Sequence, residues 1–155
     1  MSFKIKPIPS SIVNEMRVTM LSPQYKSLPA FSSVAKGYGP CRSCLNTFDE
    51  GNEDRTSFTY NPVDGVLELP QPGPVFVHTH ECEAFCDEGF PIGIRGLPML
   101  FEAFDQTGEL RKRTAVETDN EASQIISLFS ESSVDFIHIR NAEAGCYIAR
   151  VERGL

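Results

Sequence analysis

Hydrophobic and polar positions alternate with a period of two over several short stretches of this chain, and only one stretch carries a helical period. In Val75–His80, Phe76, His78 and His80 fall on one face of an extended strand, and Val75, Val77 and Thr79 fall on the other. Val134–Arg140 alternates in the same way, with Val134, Phe136, His138 and Arg140 opposite Asp135, Ile137 and Ile139. Arg55–Tyr60, rich in β-branched and aromatic residues and closed by Asn61-Pro62, predicts another strand. Further strands are expected at Met99–Phe104, closed by the hairpin-like Asp105-Gln106-Thr107-Gly108, at Cys146–Glu152 after a polar turn over Asn141–Gly145, and at Glu15–Met20.

The helical signal follows Thr118 and Glu121, spaced as a capping box. Ala122, Ile125, Ile126, Leu128 and Phe129 then recur at intervals of three and four. Pro7, Pro9, Pro23, Pro29 and Pro40 punctuate the first forty residues, so a Pro-rich, extended segment is expected over about residues 1–36. Six short strands and one amphipathic helix predict an α+β fold, a curved and mainly antiparallel sheet with the helix packed on it. At 155 residues the chain has the length of a single domain, 1–155.

Composition narrows the classes of function. A hydrophobic fraction of 41% with 23% charged residues excludes disorder, collagen and a membrane bundle. The net charge of −7, with no basic run longer than Arg111-Lys112-Arg113, argues against nucleic acid as a partner. Lys4, Lys6, Pro7 and Pro9 break the N-terminus before an apolar signal region can form, and no apolar run approaches a membrane span, so a cytoplasmic protein with no membrane partner is expected. In that compartment structural disulfides are disfavoured, and five cysteines cannot all pair within one chain.

Those cysteines and the three histidines bunch into few segments. Cys41-Arg42-Ser43-Cys44 is a C-x-x-C, a spacing that lets two thiolates in a tight turn approach one tetrahedral ion. It is equally the spacing of a dithiol redox pair, although no helix of useful length follows it as a thioredoxin-like motif requires. A second cluster, His78, His80, Cys82 and Cys86, offers four borderline or soft ligands within nine residues. Two histidines at i and i+2 on a strand point the same way, and Cys82 follows where a turn can fold it back beside His78. Six ligands exceed the four that zinc takes, so at least two of them serve otherwise. The C-terminal segment holds His138 and Cys146, a conceivable nucleophile and base, and Arg95, Arg140 and Arg150 have the planar forks that clamp carboxylate or phosphate.

Taken together, Cys41-Arg42-Ser43-Cys44-Leu45, Gly73-Pro74-Val75-Phe76-Val77-His78 with Cys82, and His138-Ile139-Arg140-Asn141-Ala142 with Gly145-Cys146 resemble the bacterial domain-of-unknown-function family numbered 1203, over about Tyr38 to Arg153. The resemblance implies a bacterial cytosolic protein with no established activity. It marks Cys44, His78, Cys82, His138, Arg140, Asn141 and Cys146 as motif positions and favours His78 with Cys82 over His80 and Cys86. The leading expectation is a zinc-binding module with Cys41, Cys44, His78 and Cys82 as ligands and Cys146 and His138 in reserve. Arg140 and Asn141 are the candidate cofactor contacts. The alternatives are an enzyme with a Cys/His nucleophilic or thiol-redox centre, and a small-ligand or partner-binding domain with inert thiols.

Overall fold

The computed structural model describes residues 2–154 and is α+β, with eight strands in two antiparallel sheets and two α-helices among the described residues. The expected single six-stranded sheet with one helix is thus corrected in strand number, sheet number and helix number. The chain falls into two compact units, residues 1–6 with 86–155 and residues 7–85.

The first unit holds strand β1 (Phe3–Lys6), a short 3-10 turn at Ile92–Ile94, strands β5 (Met99–Phe104) and β6 (Leu110–Ala115), helix α2 (Glu121–Phe129), and strands β7 (Phe136–Asn141) and β8 (Tyr147–Arg153). Its five strands lie in the order β1-β8-β7-β5-β6. One sheet face buries Ile5, Phe101, Ala103, Ile137, Ile139 and Val151, while α2 buries Ile125, Leu128 and Phe129. Arg153 of β8 lies across the Phe129 ring. The alternate residues build an aromatic cluster in which Phe104 stacks on Phe136 at 5.0 Å and His138 sits against Phe104, Phe136 and Tyr147.

The helix begins one residue after Asn120, which has no side-chain capping bond, so Thr118 does not act as the expected cap. Asn120 instead donates its side-chain amide to Glu117. The buried Glu121 accepts the Gly96 N–H at 3.3 Å. Strand β6 escaped the hydrophobic pattern because LRKRTA is an edge strand whose residues are almost all exposed, where charged side chains guard a free edge. Only its turn is legible: Asp105 Oδ1 accepts the N–H groups of Thr107 and Glu109 and closes the β5–β6 connection.

The second unit holds helix α1 (Ser10–Thr19) and strands β2 (Phe31–Val34), β3 (Asp54–Tyr60) and β4 (Gly73–His78), with sheet order β2-β3-β4. The strand expected at Glu15–Met20 is the second half of α1. Val13 and Met16, three apart, form its buried face, and the backbone turns left-handed at Met20, whose N–H returns to Met16. Isolated from that spacing, the β-branched Val18 and Thr19 read as strand, and tertiary burial overrode them. Phe58, Tyr60, Val75 and Val77 turn inward from β3 and β4. Strand β4 stops at His78, so His80 lies beyond it and the expected pair of histidines on one strand face does not form. No helix among the described residues is long and apolar enough to cross a membrane.

Candidate metal centre

Four backbone hydrogen bonds assemble this centre from distant segments of the second unit. The Cys41–Cys44 turn closes on itself through Leu45 N–H to Cys41 O and Cys41 N–H to Asn46 O, both 2.9 Å. Leu45 pays for that turn with a left-handed φ of 60°, held in place by complete burial of its side chain. The Arg42 N–H donates to Phe76 O at 2.9 Å, which pins the turn to β4 two residues before His78. After the strand, the Phe85 N–H donates to Ser43 O at 2.9 Å and draws the loop carrying Cys82 back over the same turn.

As a result the ligand atoms of Cys41, Cys44, His78 and Cys82 all lie within 4.8 Å of one another. Cys41 and Cys82 approach with their sulfurs 3.8 Å apart, and Cys44 Sγ lies 3.5 Å from His78 Nδ1. Cys41 Sγ, fully buried, also accepts the His78 backbone N–H at 3.3 Å. On its other side the imidazole is fixed twice: Nε2 donates to Glu53 Oε1 at 3.3 Å, and the Phe48 ring meets it edge-on at 4.7 Å. Nδ1 is thereby left to face the sulfurs, the arrangement by which a carboxylate orients a ligating histidine. Arg17 of α1 reaches over from the other flank, its Nη2 lying 2.9 Å from His78 O, 3.2 Å from His80 O and 3.6 Å from Cys82 Sγ.

The protons divide unevenly among the three sulfurs. Hydrogen bonds from Cys41 and Cys44 hold Cys82 well below the ordinary thiol range against the opposing effect of burial, and Arg17 and His78 add to the lowering. Cys44 is pushed well up, first by its bond to Cys41, then by Cys82 and burial. For Cys41 the bond to Cys44 lowers the pKa, but the bond to Cys82, burial and the Cys82 charge outweigh it and the net direction is up. Negative charge is thereby concentrated on Cys82, at a point where a cation would relieve it. With three sulfurs and one imidazole converging, the cluster can hold a metal ion.

The remaining candidates lie elsewhere. His80 and Cys86 are exposed, and neither joins the cluster. His138 is fully buried with both ring nitrogens lacking a hydrogen-bond partner, so it is not bonded to Cys146, whose half-buried sulfur lies 4.0 Å from Ala144 O. Arg140 pairs with Glu102 and donates to Gly145 O at 3.1 Å. Asn141 Oδ1 accepts the N–H groups of Glu143 and Ala144, both at 2.9 Å, and so shapes the β7–β8 turn. Glu53, Phe48 and Arg17 escaped sequence reasoning: each meets the cluster through tertiary packing, and no local motif marks it.

Fold and centre together define a small α+β protein with a three-cysteine, one-histidine cluster. The family described as protein of unknown function (DUF1203) matches residues 38–153, and the chain belongs to it. No curated protein and no solved structure matches the chain.

Proposed function

We propose that this protein is a zinc-binding module in which Cys41, Cys44, His78 and Cys82 hold one structural ion. The observation that carries the reading is the spacing of the donor atoms. A tetrahedral ion with zinc–sulfur bonds of about 2.3 Å and a zinc–nitrogen bond of about 2.05 Å sets two sulfurs about 3.8 Å apart and a sulfur and a nitrogen about 3.6 Å apart. The Cys41–Cys82 and Cys44–His78 distances, 3.8 and 3.5 Å, agree with both edges. No other pair of donor atoms in the cluster is more than 4.8 Å apart. A disulfide, by contrast, needs sulfurs about 2.05 Å apart, and all five cysteines are free.

Four protein ligands fill a tetrahedron and leave no position for substrate, which favours a structural ion over a catalytic one. Such an ion ties the Cys41–Cys44 turn to the end of β4 and to the loop beyond it, closing a long loop in the chain. Elemental analysis of the purified protein should find close to one zinc per chain. A strong chelator at neutral pH should lower Tm by at least about 4 °C, and Cys44→Ser or His78→Ala should lower it similarly and abolish the chelator effect. Protein free of metal, with a melting curve indifferent to zinc and to chelator, would refute the proposal.

A further inference from the structure

Of the four ligands, Cys82 is held least by its own backbone. Cys41 and Cys44 belong to a closed turn and His78 to a paired strand, whereas residues 80–84 make no backbone-to-backbone hydrogen bond among the described residues. What meets this segment instead is one guanidinium nitrogen. Arg17 Nη2 bonds the carbonyls of His78 and His80, one on each side of Thr79, and the sulfur of Cys82. Its helix gives it a firm base, because Arg17 follows the fully buried Met16 and stands in the last turn of α1, where a cation suits the helix dipole.

The charge balance points the same way. Three thiolates and a neutral imidazole around a divalent ion carry one net negative charge, and the half-buried Arg17 supplies a positive one at the sulfur. Glu53 meets the centre on the His78 side, at the ring nitrogen that faces away from the sulfurs. Arg17 precedes the segment matched by the family.

We infer that Arg17 is the positioning residue that keeps Cys82 at the centre as the fourth ligand: it fixes the loop through two carbonyls and stabilises the bound thiolate through the third contact. This rests on the four-ligand reading above. It assigns to α1 a function at the metal in addition to its packing.

Cobalt(II) titration separates the two ideas, because sulfur-to-cobalt charge-transfer absorption grows with the number of thiolates bound. The protein itself should take up one cobalt with strong charge transfer; failure to bind would overturn the four-ligand reading and this inference with it. Given binding, Arg17→Ala should weaken cobalt affinity about 10–100-fold and lower the charge-transfer intensity toward that of Cys82→Ser, by roughly one third as three thiolates become two. Adding Arg17→Ala to Cys82→Ser should cost little further, since the guanidinium would have lost the ligand it serves. Fully additive losses, or an Arg17→Ala spectrum and affinity equal to those of the parent, would overturn the inference while leaving the metal site intact. Should Arg17→Ala fail to fold, Arg17→Lys and Arg17→Gln decide the matter. Lys, which keeps the charge and several donors, should hold the spectrum better than Gln, and equal behaviour of the two would overturn the inference.

Discussion

Acid should unfold this protein partly through His138, and the size of the effect follows from where β7 puts that side chain. The imidazole is fully buried, its ring centroid 5.1 to 5.2 Å from those of Phe104, Phe136 and Tyr147, and neither nitrogen has a hydrogen-bond partner. Burial first, then the charges of Arg140 and Arg150, push its pKa down from the ordinary 6.5 to about 3. The native state therefore refuses a proton that the unfolded chain accepts between those values. Stability from this group is complete above about pH 6.5 and is lost as the pH falls toward 3, at up to about 1.4 kcal/mol per unit. Between pH 7 and pH 4 the loss amounts to roughly 3 kcal/mol. Urea unfolding of the protein and of His138→Phe, at pH 7, 6, 5 and 4, isolates the contribution. Both chains share every carboxylate and the whole cysteine cluster, so the difference between their pH profiles belongs to position 138. The variant has its own packing offset, an extra ring carbon in a filled core, but that offset does not depend on pH. Parallel profiles for the two proteins would refute the reasoning and mean that the buried imidazole accepts its proton in the native state.

Two further substitutions probe the frame of the proposed metal centre. Gly39 has φ of +92°, and a Cβ there would stand 2.6 Å from two carbons of the Phe48 ring, which in turn packs on His78. Gly39→Ala should therefore cost about 1–3 kcal/mol in a thermal or urea melt and weaken zinc in a competition titration, whereas unchanged values in both would show that Phe48 has room to yield. Glu53→Gln removes the carboxylate from His78 Nε2 while keeping the shape of the side chain. Because Glu53 is partly exposed, a loss of about tenfold in zinc affinity is expected, at the low end for groups that orient a ligand, and unaltered affinity would leave Phe48 as the sole support of the ring.

What could be read in the chain follows the range of the forces involved. Strands β3, β4, β5, β7 and β8 were legible to within a residue or two because each has apolar side chains on at least one face, and alternation or β-branched content records that burial locally. Strands β1, β2 and β6 are short or solvent-facing edges whose pairing is set by partners far away in sequence, such as Arg153 for Phe3 and Ser57 for Phe31. Helix α1 carries a weak apolar period and two buried positions, so the prolines around it dominated the reading. Glu53 and Arg17 approach the centre from β3's leading edge and from α1, 25 and 61 residues before His78, and nothing in their immediate neighbours signals that destination.

The choice among six possible ligands turns on one structural fact that spacing alone does not supply, the residue at which β4 ends. Had the strand run on to His80, the i and i+2 imidazoles would share a face and Cys82 would lie a further step along it. Because pairing with β3 stops at His78 opposite Arg55, the chain is free to turn, and the Phe85 N–H commits it to Ser43. That single bond fixes the direction of the loop: Cys82 comes back over the Cys41–Cys44 turn, His80 offers its carbonyl to Arg17 while its ring stays exposed, and Cys86, one residue past the anchor, remains exposed as well. The preference of the cluster for Cys82 over Cys86, and for His78 over His80, thus follows from strand length and from the course of the loop, on which the Phe85 anchor and Arg17 both act, since the side chains discarded are chemically the same as those kept.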